Sequence, residues 1–263
     1  MKPAIKSART PRIWFDGTIE TCEPNNTVEL PKQSAHHLTT VLRAGDGHLI
    51  QLFNGDGKNY DAQLKIDGKK VFAHIQHATP NLNESSLSTL LVQSISRGDR
   101  MDTSVQKCVE LGITDIQPIY TQHSIPALKG NRASKKLEHW KAIAISAAEQ
   151  SGRSVVPHIA EAQTLQDWLK THWLDEKKNG TLGWALDPTA TEALNAGSLQ
   201  QSTKPVRHAL LIGPESGLET AEITAAVDAG FNAVRFGGRI LRTETAGPAV
   251  LCTLQALAGD LLR

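Results

Sequence analysis

Cysteine is scarce in this chain and poorly placed for chemistry. Cys22, Cys108 and Cys252 are odd in number, far apart and in no Cys-x-x-Cys arrangement, which excludes a disulfide framework or a thiolate zinc site and fits a reducing cytosol. His74 and His77 lack the Cys or acidic ligands that would complete a set of four, so no metal is expected. Long apolar runs are also missing. No stretch approaches the ~20 residues that a membrane span needs, and no apolar core follows the basic N-terminus to make a secretion signal. A cytoplasmic protein without membrane anchorage is expected. Charge excess is absent as well: 28 Lys and Arg face 27 Asp and Glu, a formal net charge of +1. Any polyanionic partner must therefore be met by local clusters. No internal repeat or low-complexity segment is present.

What is there suits a folded α/β protein. The 263 residues are 40% hydrophobic and 21% charged, enough for one large core or two smaller ones. From Arg12 to about His77 the pattern is of short strands, at Trp14-Phe15, Leu49 to Phe53, Tyr60 to Leu64 and Val71 to Ile75. Asn54-Gly55-Asp56-Gly57 and Asp67-Gly68 supply tight turns between them, and a helix is expected from about Ser34 to Leu42. This reads as a small β-barrel over residues 1–78. The polar stretch Ala78 to Ser86, with Pro80 and no periodicity, reads as a linker, its body at 79–86.

From Leu87 to the C-terminus strands and helices alternate. Strands are expected at Leu87 to Ile95, Asp115 to Tyr120, Val155 to Ile159 and Leu182 to Leu186; helices at Asp102 to Leu111, Lys135 to Gln150, Leu165 to Trp173 and, last, Glu244 to Leu262. Such alternation implies a mainly parallel sheet covered on both faces. In the long helix Leu137, Trp140, Ile143, Ala144 and Ala147 form one apolar stripe, read as core. Lys107 and Glu110 have the spacing of a helical salt bridge.

The stretch His208 to Ala246 stands apart. Two apolar runs, Ala209 to Ile212 and Ala233 to Phe236, each end on glycine, at Gly213 and at Gly237-Gly238, and the helical pattern Glu219 to Ala229 lies between them with Gly230 as its C-cap signal. Parallel strands end in this way at the sheet edge where ligands bind. The spacing is not that of a dinucleotide fingerprint, no Gly-Lys-Ser/Thr makes a phosphate loop, and Gly-Pro-Glu-Ser-Gly is not a nucleophile elbow. The second turn carries Arg239, Arg242, Glu244, Thr243 and Thr245 around Ile240 and Leu241, a density of charge beyond ordinary turn chemistry.

These residues carry a resemblance. IGPESG followed by GGRILRTETA resembles the paired motifs of the SPOUT methyltransferases, and within them the small-subunit ribosomal RNA uracil-N3 methyltransferases, whose pattern is close to IGPEGG and LGxRILRTETA. His36-His37-Leu38 through Val41-Leu42-Arg43, Gln106-Lys107 through Glu110-Leu111-Gly112, and Glu149-Gln150-Ser151-Gly152-Arg153 resemble that family in the same order. Two departures stand out. Ser216 replaces a usual glycine and is modestly strained if that position needs a positive φ; Glu219 replaces a usual Ser or Thr cap, leaving Thr220 to cap one residue late.

The resemblance implies a PUA-like RNA-binding barrel followed over residues 87–263 by a SPOUT domain with a deep C-terminal trefoil knot, a rare exception to unknotted chains. It further implies a homodimer that uses S-adenosyl-L-methionine to methylate uridine N3 in 16S ribosomal RNA of the small ribosomal subunit. The implied cofactor residues are Leu186, Ile212, Gly213, Pro214, Glu215, Gly217, Phe236, Gly237, Gly238, Ile240, Leu241, Thr243, Thr245 and Ala246. Glycine lets backbone groups reach an adenine, and Ile212, Ile240 and Leu241 supply apolar walls. Arg242 is expected to stabilise the anionic base, and Glu215 or Glu244 to take the proton or orient the arginine; a structural Arg242-Glu244 pair is the competing account. Expected RNA contacts are Arg9 and Arg12 in the basic N-terminal arm, His37, Arg43, Arg97 and Arg153, with a second basic cluster from Lys129 to Lys141. The last helix, through Val250, Leu251, Leu254 and Leu257, suits a dimer interface or the chain's own core equally. Two other classes stay open: a ribose 2'-O-methyltransferase on the same fold and a non-catalytic RNA-binding protein.

Overall fold

The structure is a computed structural model that describes residues 10–19, 26–194 and 206–262. Two compact units divide the chain: Met1–Glu84 with Ala148–Val155, and Ser85–Ala147 with Val156–Arg263.

The first unit is built on one five-stranded sheet of order β1-β3-β4-β5-β2. The strands are β1 (Arg12–Trp14), β2 (Thr27–Glu29), β3 (Leu49–Phe53), β4 (Lys58–Asp67) and β5 (Lys70–Pro80). β1 runs parallel to β3; the other pairs are antiparallel. Alternation decides which face is inside: Ile50 and Leu52, Tyr60, Ala62 and Leu64, and Val71, Ala73 and Ile75 share one core with Ile13, Leu30 and Leu38. The expected turns form. Asp67 and Lys70 close a tight hairpin on Gly68, and Asn54 and Asp56 each accept a backbone N–H two residues on, at 3.3 and 3.0 Å. The hairpin is longer than expected, because β5 continues beyond Ile75 through His77 to Pro80. The helix α1 (Lys32–His36) runs on as a π-helical turn, His37–Val41, which ends with Arg43 at φ +54°.

Arg153 is buried in this unit, its Nη2 2.9 Å from Glu84 Oε2, and the other Glu84 oxygen accepts the Ser154 and Val155 N–H groups at 2.8 and 3.0 Å. Arg12 lies over the Phe53 ring, 5.0 Å from its centroid, and donates to Gln51, to Asn59 and, at 2.7 Å, to the Arg153 carbonyl. Glu149 accepts the Trp14 N–H at 2.9 Å. Burial pushes its carboxyl above the usual range, against that hydrogen bond and the charges of His37 and Arg12.

The second unit has a parallel sheet of order β12-β10-β11-β6-β7-β8, with β9 also on β7. In chain order its elements are β6 (Thr89–Ser94), α2 (Arg100–Glu110), β7 (Asp115–Tyr120), α3 (Asn131–Ser151), β8 (His158–Ile159), β9 (Gln163–Thr164), α4 (Leu165–Lys170), α5 (His172–Lys178), β10 (Leu182–Leu186), β11 (His208–Ile212), α6 (Thr220–Ala229), β12 (Phe231–Val234) and α7 (Thr243–Leu257). The central strands β6 and β11 are buried along their whole length, as expected of a sheet covered on both faces. Trp168, Trp173 and Phe231 cluster on one face with Ala185, Ala209 and Leu211. Between β10 and β11, the Trp184 indole N–H donates to buried His208 Nδ1 at 3.1 Å, and burial lowers that imidazole's pKa.

Boundaries differ in several places: the long helix starts at Asn131, ahead of the expected Lys135, and the last helix, expected to reach Leu262, ends at Leu257. The last strand lies earlier than expected, at Phe231–Val234, since Phe231 joins the aromatic cluster and Arg235 makes only a single bridge to Ala193. The expected strand from Val155 narrows to His158–Ile159, because Ser154 and Val155 spend their N–H groups on Glu84. The helix from Leu165 breaks at Thr171, whose hydroxyl bonds back to the Asp167 carbonyl at 2.8 Å. In α7, Val250, Leu251 and Leu254 are wholly buried within the chain, so they are core, while Leu257 remains 41% exposed. Gln255 fixes the end of α7, donating to the Leu111 carbonyl at 3.0 Å and accepting from Ser85 at 2.6 Å.

Candidate functional site

The carboxyl ends of β10, β11 and β12 open onto one cavity of about 820 Å³, where ligands of parallel sheets bind. Into it run the turn after β11, the turn after β12, the first residues of α7 and the segment after β10. The sequence-expected residues Leu186, Ile212, Gly213, Pro214, Glu215, Gly217, Phe236, Gly237, Gly238, Ile240, Leu241, Thr243 and Ala246 all line it. Thr245 does not; it is exposed on the far side of the first turn of α7. Sequence reasoning missed Asp187, Pro188 and Thr189, although their place just past an expected strand was a usable signal, and it missed Leu218, Thr220, Ile223 and Thr224 from α6 and its approach. Arg235 and Arg239 are further lining residues.

The first turn is tightly built. The Gly217 N–H donates to the Pro214 carbonyl at 3.0 Å, closing a four-residue turn. The left-handed conformation falls on Gly217 (φ +80°) and not on Ser216, so serine there is unstrained. A β-carbon on Gly213 would sit 2.9 Å from the Leu218 nitrogen, so only glycine fits. The Gly213 carbonyl accepts the Thr243 hydroxyl at 2.6 Å, and Gln93 Nε2 donates to that hydroxyl at 3.0 Å. The ends of β6, β11 and α7 are thereby tied together. The α6 cap also differs from expectation. Glu219 occupies the N-cap position, and Glu222 accepts its N–H at 2.9 Å. Glu222 also accepts the Gln122 N–H at 2.8 Å, and Glu219 pairs with His123. The longer acidic side chain thus reaches the loop after β7, which a serine at that position could not.

Charge gathers at the edge of the cavity. Glu215 Oε1 accepts the Arg97 N–H at 3.1 Å and Arg100 Nη1 at 2.7 Å. Glu244 lies 3.7 Å from Arg100 Nε and 4.0 Å from Arg242 Nη1. Arg242 is 82% exposed. The three expected catalytic residues are therefore brought together, around Arg100, which the sequence reading placed on the ligand side of the sheet without a role.

The expected RNA residues scatter. Arg9 lies outside the described residues. Arg12 and Arg153, expected to contact RNA, are engaged inside the first unit by the contacts above. His37 and Arg43 are exposed at the π-helical turn, and Arg97 is exposed after β6. Of the basic cluster, Lys136 stacks over Trp140 and bonds to Asp102 at 3.3 Å, and Lys141 pairs with Glu138 at 3.0 Å. Lys107 pairs with Glu110 at 2.9 Å, an ordinary surface bridge. Among the described residues no three His, Cys, Asp or Glu side chains group as a metal site, and no helix is long and apolar enough to cross a membrane.

The profile of the RNA methyltransferase domain matches residues 83–255, and that of the RNA methyltransferase PUA domain matches residues 30–76. The ribosomal RNA small subunit methyltransferase E of Buchnera aphidicola (Schizaphis graminum) is 32% identical, over 96% of this chain and 98% of the relative. The chain belongs to that family. The family's enzyme from Neisseria gonorrhoeae, solved bound to S-adenosyl methionine, is 36% identical and superposes with a TM-score of 0.82 over 96% of this chain and 99% of the other. A methyltransferase from Legionella pneumophila, solved with the bound cofactor SAM, is 33% identical with a TM-score of 0.84 over 97% of this chain and all of the other. In this methyltransferase, then, the two turns that carry the motifs are the walls of a single cavity.

Proposed function

We propose that this methyltransferase transfers a methyl group from S-adenosyl-L-methionine to N3 of a specific uridine in 16S ribosomal RNA, acting as a cytoplasmic homodimer. The observation that carries the reading is the convergence of both motif turns on a cavity of about 820 Å³, lined by Leu241 and Thr243, the chain neighbours of Arg242 and Glu244. The lining suits the cofactor. Leu186, Ile212, Phe236, Ile240 and Leu241 offer apolar wall to an adenine, the glycine turns offer backbone N–H and C=O groups, and Asp187 and Glu215 favour a cationic sulfonium and amine. Among the described residues the cations that line it are Arg235 and Arg239, and no lysine does.

The cofactor supplies an electrophilic methyl group. The N3–H bond breaks, the N3–C bond forms as the S–C bond breaks, and the sulfur leaves neutral. Arg242 stabilises the charge that the uracil carbonyl oxygens acquire when N3 loses its proton, and Glu244 beside it orients the guanidinium or accepts the proton. Arg43, Arg97, His37 and the N-terminal arm with Arg9 meet RNA phosphates. The finer fold terms belong to the same proposal. The five-stranded sheet of the first unit supports a PUA-like barrel; the return of α7 beside Leu91 of β6 and Cys108 of α2 supports the SPOUT knot; the exposure of Ile240 (83%) and Leu262 (80%) supports a dimer. Free Cys108 and Cys252 suit the cytosol.

Nucleoside analysis of 16S rRNA or small subunits incubated with the protein and the cofactor tests the reading. Base-methylated 3-methyluridine is expected. A ribose 2'-O-methyl product moves the reaction to the sugar, and no product leaves an RNA-binding protein. The Arg242→Ala variant is expected to lose about 10²–10³-fold in single-turnover rate at saturating substrates with cofactor affinity nearly intact; a normal rate at saturation reassigns Arg242 to binding.

A further inference from the structure

The charged groups beside the cavity alternate in sign along a row. Arg100, in the first turn of α2, reaches Glu215 Oε1 (2.7 Å) and the Arg97 carbonyl (3.3 Å) with Nη1, while its Nε faces Glu244 Oε2 at 3.7 Å. The second Glu244 oxygen lies 4.0 Å from Arg242 Nη1. Glu244 Oε2 is buried and makes no hydrogen bond, so the charge of Arg100 is what compensates it. Among the described residues the Arg242 side chain has no other polar partner than Glu244, while its carbonyl accepts the Thr245 and Ala246 N–H groups at 2.9 Å. Glu244 is thus the charged group that faces the 82% exposed Arg242 side chain, and Arg100 the one that faces Glu244.

We propose that Arg100 is a positioning residue for methyl transfer, acting through Glu244 on Arg242; this rests on the reading of Arg242 as the group that steadies the reacting base. A guanidinium suits the task because its planar fork holds two carboxylates from different chain segments at once, where a lysine ammonium is a single point. The same geometry separates the two glutamates. Glu215 Oε1 is already engaged by a backbone N–H and by Arg100, which makes it the anchor of the row; Glu244 is the member that faces the catalytic arginine.

The test compares Arg100→Met, Arg100→Lys, Glu244→Gln and the Arg100→Met/Glu244→Gln double variant with the wild-type protein, thermal melts checking that each is folded. Single-turnover rates at saturating cofactor and RNA are expected to fall roughly tenfold in Arg100→Met and in Glu244→Gln, with the double variant no slower than the slower single, because one chain of contacts is broken twice. The calorimetric Kd for S-adenosylmethionine is expected to stay within about threefold, and Arg100→Lys to recover part of the rate. The NMR order parameter of the Arg242 Nε–H is expected to drop in Arg100→Met and in Glu244→Gln. Losses that multiply in the double variant, a cofactor affinity that falls in step with the rate, or an Arg242 order parameter unchanged in Arg100→Met each overturn the proposal. If the wild-type protein makes no methylated uridine, the functional reading fails and the order parameters alone decide the positioning role.

Discussion

The two glycine turns that wall the cavity are built in opposite ways. The turn after β11 is held from every side: Gly217 to Pro214 across it, Thr243 on the Gly213 carbonyl, Arg97 and Arg100 on Glu215, and Leu218 packed where a Gly213 side chain would go. The turn after β12 has almost nothing of its own. Gly237 to Leu241 make no hydrogen bond among the described residues, a β-carbon on Gly238 would meet nothing within 4 Å, and Ile240 is 83% exposed. Both are glycine at a strand end, yet glycine answers a different need in each. In the first it lets protein pack on protein; in the second no described residue comes within 4 Å of the position a side chain would take. The cavity therefore has one wall fixed by the protein's own contacts and one that the described residues leave unbraced.

Substitutions that treat the turns alike sharpen that contrast. The largest effect is expected from Gly213→Ala, whose β-carbon meets backbone at 2.9 Å. It is expected to destabilise the fold by about 1–3 kcal/mol and to abolish cofactor binding, as read by chemical denaturation and calorimetry; an unchanged denaturation midpoint would show that the first turn yields as freely as the second. Thr243→Val comes next. It leaves the buried Gly213 carbonyl and Gln93 amide without their hydroxyl partner, and about 1–2 kcal/mol of stability is expected to go. A loss of cofactor affinity without a loss of stability would instead place the hydroxyl on the ligand. Gly238→Val is expected to shift the melt least, by less than about 0.5 kcal/mol, while weakening S-adenosylmethionine at least about tenfold, since Gly238 lines the cavity and a β-carbon there meets no described residue within 4 Å. If it unfolds the protein, the open turn is not open.

The layers of the fold were readable because burial and period leave direct marks. Period-two alternation at Ile50 to Leu52 and Tyr60 to Leu64, and unbroken apolar runs at β6 and β11, place the strands, and the glycines that end β11 and follow β12 mark the ligand edge. Motif spelling took the site further, since thirteen expected residues do line the cavity. Long-range partners were not readable. Arg12 and Arg153 look like RNA ligands in a basic arm and at a helix end, and nothing local announces that Phe53, Asn59 and Glu84 wait for them. The partners of Arg100, whose place on the ligand side was readable, were hidden for the same reason: Glu215 and Glu244 lie more than a hundred residues away in sequence and meet it only when the strand ends come together. Glu219, read as a lost cap, proves to be a cap with a second partner in His123.

The buried His208 makes the second unit respond to protons in a direction opposite to that of Glu149 in the first. Burial lowers the His208 pKa, so the folded chain binds its proton less readily than the unfolded chain, and stability is lost as pH falls below the ordinary histidine value of about 6.5. Glu149 is raised, so its folded form holds a proton longer, and stability contributed below the ordinary glutamate range is lost as pH rises through the folded value. Mild acid therefore loads the β10–β11 seam, where Trp184 donates to His208 Nδ1, while it relieves Glu149. Acidification has no single sign in this molecule: protection from hydrogen exchange, taken relative to the intrinsic rate at each pH, is expected to fall first at the strands that carry the cavity.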